Sequence, residues 1–206
     1  MRVAECVWRC TFYTIAWFTG LYILYDQPQF ESVLNCWRGW PHHELPDTVW
    51  WYYIIEGSFY WCLLLGHLFL DVRRKDFFEM GLHHVITIFL LWISWSINMV
   101  RVGTLVLFSH DAADILLELG KIFRYANWDR MLEIVFVLLL IVWIGTRIIY
   151  YPFWIIHSVW KDAPGYIQDS YNWLNLTQRP IVPRILVFML STLVVLHILW
   201  TYLLLR

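Results

Sequence analysis

Residues 102–123 read VGTLVLFSHDAADILLELGKIF. The run is long enough to cross the hydrocarbon of a bilayer, which takes about 20 apolar residues wound as a helix. Yet His110, Asp111, Asp114, Glu118 and Lys121 within it are all ionisable. His110, Asp114, Glu118 and Lys121 follow at steps of four, four and three, on one face of a 3.6-residue helix, with Asp111 three positions before Asp114. An ionisable side chain at mid-span costs about 2.5 to 3.5 kcal/mol on insertion scales, so this face must turn towards other protein groups. The segment predicts a membrane helix packed inside a bundle, polar side inward.

The preceding apolar run supplies a matching face. His83, Thr87, Ser94, Asn98 and Arg101 fall at steps of four, seven, four and three, again one helical stripe, with His84 adjoining it. Two such stripes satisfy each other only if they face one another around a wet space. If this helix enters the bilayer near Phe77 and the next one leaves it near Arg124, His83 lies roughly 9 Å deep, Asp114 roughly 15 Å and Glu118 roughly 9 Å. His83 is therefore expected to meet the Asp114 to Glu118 level.

Composition agrees. Of 206 residues 60% are hydrophobic, 19% aromatic and 15% charged, against about a quarter charged in a soluble domain. Too little polar surface remains to coat a soluble globule, and a net charge of -1 gives no electrostatic reason for a nucleic-acid partner. Six windows are long enough to span: roughly 3–25, 49–70, 80–100, 102–124, 132–156 and 183–205. The expectation is an all-α polytopic membrane protein, one domain over 1–206, with six transmembrane helices enclosing a polar-lined central cavity. Residues 26–48 and 157–182, rich in Pro, Gly and charge, read as loops, and 71–79 and 124–131 as short charged links.

Six spans place both termini on one side. Taking the Arg73-Arg74-Lys75 link as cytoplasmic puts Arg2, Lys121, Arg124, Arg130 and Arg206 on that side too, and leaves Arg38, Arg101, Lys161, Arg179 and Arg184 opposite, the sense of the positive-inside rule. Asn175-Leu176-Thr177, a glycosylation acceptor sequence, then faces the lumen. Residues 3–25 are too long for the apolar stretch of a signal peptide and carry Glu5 and Arg9, so they read as a span whose two charges pair. Cys6, Cys10, Cys36 and Cys62 show no metal-ligand spacing and read as packing residues, as do His67, His157 and His197. Trp and Tyr at 50–53 read mostly as an interfacial belt. The spacing leaves Arg147 without an assignment.

The sequence resembles the ceramide synthases, the Lag1-type members of the TRAM-LAG1-CLN8 (TLC) family. The likeness is carried by DVRRKDFFEM at 71–80, HHVITIFLLWISWSINMVRVGTLVLFSHDAADILLELGK at 83–121 and RYANW at 124–128, with CWRGWP at 36–41, WWYYIIEGSFYW at 50–61 and RIIYYPFW at 147–154. It implies a multi-pass enzyme of the endoplasmic reticulum that moves a fatty acyl group from acyl-CoA to the amine of a sphingoid long-chain base, giving ceramide or dihydroceramide. It also implies that acyl-CoA serves as co-substrate with no further cofactor or metal, and that the chain forms dimers with itself or with other ceramide synthases. The family's paired histidines fall on His83 and His84, and its paired aspartates on Asp111 and Asp114. Its loop linked to acyl-length choice corresponds to 157–182. The chain starts at the first helix of the family's domain, without the extra span or homeobox-like segment of many members, and ends without an acidic tail; it is expected to be a minimal or trimmed domain.

Two routes suit these residues. A histidine acts as general base while the amine attacks the thioester, or His83 attacks first and carries the acyl group as an acyl-imidazole, the route we favour. Asp114 is expected to accept the imidazole N–H and fix its tautomer, with His84, His110 and Asp111 supporting the proton transfers. Ser94, Asn98, Arg101, Glu118 and Lys121 are expected to contact the substrates, while Arg73, Arg74 and Lys75 read equally well as attracting the CoA phosphates or as a charge run set by topology alone. Two other readings compete. A His-box desaturase or hydroxylase needs about eight ligands in repeated boxes, and only one HH pair occurs. A lipid carrier or sensor of the same fold, or a proton-coupled transporter using the acidic face, would bind a long-chain base without consuming acyl-CoA.

Overall fold

The structure is a computed structural model that describes residues 2–70, 76–168 and 170–206. Among them all regular structure is helical: α1 Arg2–Leu24, α2 Pro28–Glu31, a 3-10 turn Val33–Cys36, α3 Asp47–Phe69, α4 Phe77–Ser96, α5 Val100–Ala126, α6 Asp129–Trp143, α7 His157–Lys161, α8 Ala163–Ile167 and α9 Val182–Leu205. Wider π-type turns over Ile144–Ile156 join α6 to α7 without a break. Helices Phe77–Ser96, Asp129–Ile167 and Val182–Leu205 are long and apolar enough to cross a membrane. The equally long α1, α3 and α5 carry the polar residues: Glu5 and Arg9, Glu56, and the His110–Lys121 face.

The outside of the bundle is apolar. Phe18, Trp92, Phe153 and Phe188 are each at least 60% exposed, while Glu56, His110, Asp111 and Arg147 are buried. That inversion suits a lipid surround and would be unstable in water. Helix α5 is the axis: α1 packs along one side of it, and α6 with the π-type turns along another. One apolar cluster joins α5, α6 and α9, and a second joins α1, α3 and α5.

The boundary between α4 and α5 differs from the expected one. The helix stops at Ser96, and Asn98 takes a left-handed conformation with φ 57°. Arg101 therefore belongs to the first turn of α5 rather than to the end of the α4 stripe. Asparagine tolerates this conformation because its short amide bonds locally, and here Nδ2 donates to Pro41 O at 2.7 Å and His43 O at 3.2 Å. The same residue type ends α5, where Asn127 at φ 55° donates its N–H to Arg124 O and Phe123 O. An alanine at 98 would carry the left-handed strain of about 1 to 2 kcal/mol and lose both bonds. Thermal unfolding should therefore place Asn98→Ala clearly below Asn98→Gly, which keeps the backbone freedom.

The helical run that starts at Asp129 also extends further than expected. Pro164 and Gly165, read as loop residues, lie in α8, where a proline in the first turn gives up no hydrogen bond. Beyond it, Arg184 at the start of α9 gathers the loop: its guanidinium donates to Asn172 O (2.8 Å), Asn175 O (2.6 Å) and Gln178 O (2.9 Å) and lies 4.8 Å from the Tyr171 ring centre. Of the aromatic run at 50–53, Trp51 is exposed, but Tyr52 and Tyr53 turn inward. The Tyr53 hydroxyl bonds Ser94 Oγ and passes so close to Gly103 that a side chain there would collide with it. Glu5 and Arg9 pair as expected. Cys36 is buried beside Trp37, and desolvation pushes its thiol up to about 12, in keeping with a packing role.

Candidate active site

Two cavities meet at His83. The first, a narrow slot of about 60 Å³, runs between α4, α5 and α9 and is lined mainly by Leu90, Leu91, Val102, Leu186, Leu190 and Leu193, with His110 and Ser94 as polar members. The second, of about 320 Å³, is more polar and contains His84, Asp114, Glu118, Lys121, Arg9 and Arg147. His83 and Tyr60 line both. His83, Asp114 and Glu118 all line the second cavity, where His83 is expected to meet the Asp114 to Glu118 level.

The local partners of each histidine differ. The Nδ1 atom of His83 is buried and has no hydrogen-bond partner, and its ring meets the Trp200 ring edge-on at 5.4 Å. His110 Nδ1 lies 2.7 Å from Val106 O; a carbonyl only accepts, so Nδ1 carries the proton and Nε2, which has no partner, offers its lone pair. His84 stands beside His83, with ring centres 5.5 Å apart, and beside His67 and Tyr60. His67 packs on Phe77 and bonds its carbonyl through Nε2 at 2.9 Å. His197 is completely buried among His110, Trp143, Tyr151 and Trp200.

The acids are held otherwise than expected. Asp114 Oδ2 pairs with Arg147 Nη2 at 2.7 Å rather than with His83. That arginine, 3% exposed, also donates to His110 O at 3.1 Å and lies over the Trp143 ring at 4.4 Å. It enters from the π-type turns, a widening that is often found at functional sites. An intramembrane arginine needs an acid, and Asp114 is the one in reach, so charge neutralisation overrides the expected orienting bond. Asp111 is completely buried and turns to the carboxyl of Glu56 on α3, which is also completely buried. Glu118 pairs with Lys121 at 2.6 Å.

The remaining expected site residues divide. Ser94 lines the slot, bonded to Tyr53. Asn98 and Arg101 line neither the slot nor the second cavity: Arg101 Nη1 donates to Arg38 O at 3.2 Å, and both residues hold the segment between α1 and α3. Arg73, Arg74 and Lys75 lie outside the described residues. Among the described residues no group of three or more His, Cys, Asp or Glu is arranged to hold a metal ion. Reasoning from sequence left Arg147 unassigned and did not pair Glu56; the only signal for either was a charge in an apolar window.

This is a helical domain with a buried histidine–carboxylate centre between an apolar slot and a charged vestibule. The sequence matches the TLC domain (TRAM-LAG1-CLN8) over residues 2–206, and the chain belongs to that family. It is 51% identical over 205 residues to ceramide synthase hyl-2 of Caenorhabditis elegans, covering all of this chain and 62% of that protein. Ceramide synthase hyl-1 of the same organism is 49% identical over 207 residues, covering all of this chain and 56% of that protein. Human ceramide synthase 5 is 37% identical over 205 residues, covering all of this chain and 50% of that protein. The chain spans between half and about three-fifths of the length of these relatives.

Proposed function

We propose that this chain is the transferase domain of a sphingoid-base N-acyltransferase, a ceramide synthase. It spans the endoplasmic-reticulum membrane six times with both termini cytoplasmic. The observation that carries the reading is the position of His83, at the meeting of a slot suited to a hydrocarbon chain and a vestibule suited to the polar end of acyl-CoA. The family and its ceramide synthase relatives support the substrate pair.

The imidazole of His83 attacks the thioester carbonyl. The C–S bond breaks, the CoA thiolate leaves through the vestibule, and the acyl group stays on the ring nitrogen. The slot is narrow, so an entering chain displaces the leucine side chains of α9, with burial at about 0.8 kcal/mol per methylene to drive it. The amine of the long-chain base then attacks the acyl-imidazole; its C–N bond forms as the His83 bond breaks. The amine's proton passes to a neighbouring base, for which His110 Nε2 has a lone pair not otherwise engaged. Acyl-CoA is a co-substrate here, and no step calls for a metal or cofactor.

Purified protein incubated with sphinganine and a panel of acyl-CoAs should yield dihydroceramide, read by product mass. Stable binding of sphinganine with no consumption of any acyl-CoA would instead make the chain a lipid carrier or sensor of the same fold.

A further inference from the structure

We propose that Trp37 is the fixed stop at the blind end of the acyl slot and so sets the longest acyl chain transferred; this rests on the ceramide synthase reading above. The slot begins at His83 and follows α4 to Ser94, a run of about 16 Å at 1.5 Å per residue. On α5 it passes from His110 back to Met99, and on α9 from Leu193 back to Leu186. Trp37 and Val159 complete the lining, and both belong with Met99, Leu186 and Leu190 to one apolar cluster. Trp37 is the largest side chain lining the slot and is 1% exposed, so it is packed on all sides.

A stop must also resist being pushed aside. Trp37 is tied by a hydrogen bond from its indole Nε1 to Ser158 Oγ at 2.8 Å, and Ser158 in turn donates to Asp162 Oδ2 at 2.8 Å. The ring comes from the segment between α1 and α3 and its anchor from α7, so the closure bridges two distant parts of the chain. Trp40, three residues on, is engaged elsewhere: its Nε1 donates to Ile97 O at 2.8 Å at the α4–α5 link. A chain terminus reaching Trp37 meets a flat indole wall whose displacement would leave a buried N–H unpaired and take one donor from the buried Ser158 hydroxyl.

The test is a competition in which the protein receives sphinganine and an equimolar series of saturated acyl-CoAs, read as product ratios by mass spectrometry. Trp37→Ala should move the preferred product to longer chains, by about fourfold for each added methylene the enlarged slot buries. Trp37→Phe, which keeps most of the bulk, should stay near the original ratios. If Trp37→Ala fails to fold, Ser158→Ala, which loosens the anchor and leaves the ring, should shift the ratios in the same direction and less far. Active variants with unchanged ratios overturn the stop and leave the acyltransferase reading standing. An original protein that consumes no acyl-CoA overturns the reading itself, and the stop with it.

Discussion

Replacing His83 by alanine should cost acyl transfer at least about a thousandfold, the scale seen when the nucleophile of a covalent mechanism is removed. The fold should survive, because the side chain is only partly buried and its Nδ1 makes no hydrogen bond whose partner would be left stranded. Melting of the variant near the original temperature, together with the lost rate, would separate chemistry from folding. The covalent route adds a sharper readout. Acyl-CoA supplied without the amine should leave an acyl group on the original protein, mapped to His83 by peptide mass, and none on His83→Ala. A protein that transfers normally as His83→Ala removes this residue from the reaction. One that transfers only as the original, with no adduct under trapping conditions, favours direct attack of the amine with histidine as base.

The two polar stripes were legible because helical periodicity is a local property: 83, 87 and 94 on one run and 110, 114 and 118 on the next share faces whatever surrounds them. Periodicity could not tell where one helix ended. No Gly or Pro marks the break at 97–99, so Asn98 and Arg101 extended the α4 stripe by the right spacing and for the wrong reason. Their amide and guanidinium instead hold carbonyls of the segment before α3. Glu56 and Arg147 each lie on a different helix from the acid they meet, and only packing reveals such pairs. Tyr52 and Tyr53 could not be told from interfacial aromatics, because an inward tyrosine and a belt tyrosine are the same residue in the same window.

The Asp114–Arg147 pair changes what a single substitution at Asp114 can mean. Without the ion pair, Asp114→Asn would be a mild change that tests catalysis alone. With it, the variant leaves a buried guanidinium whose remaining partner is the His110 carbonyl. Breaking one side of a buried pair costs about 3 to 5 kcal/mol. Asp114→Asn and Arg147→Met should therefore each lose stability as well as transfer, and neither loss alone assigns a role. The double variant removes both charges, and methionine fills much of the space left by the arginine stem against Trp143. Neutral replacement of a whole buried pair is often tolerated, so the double variant should recover most of the melting temperature, with a coupling between the two sites in the cycle. If the charges serve the reaction, by orienting His110 through its carbonyl or by balancing charge as the thiolate leaves, transfer should stay low in this refolded protein. Recovery of both stability and rate would make the pair structural and remove Asp114 from the catalytic set.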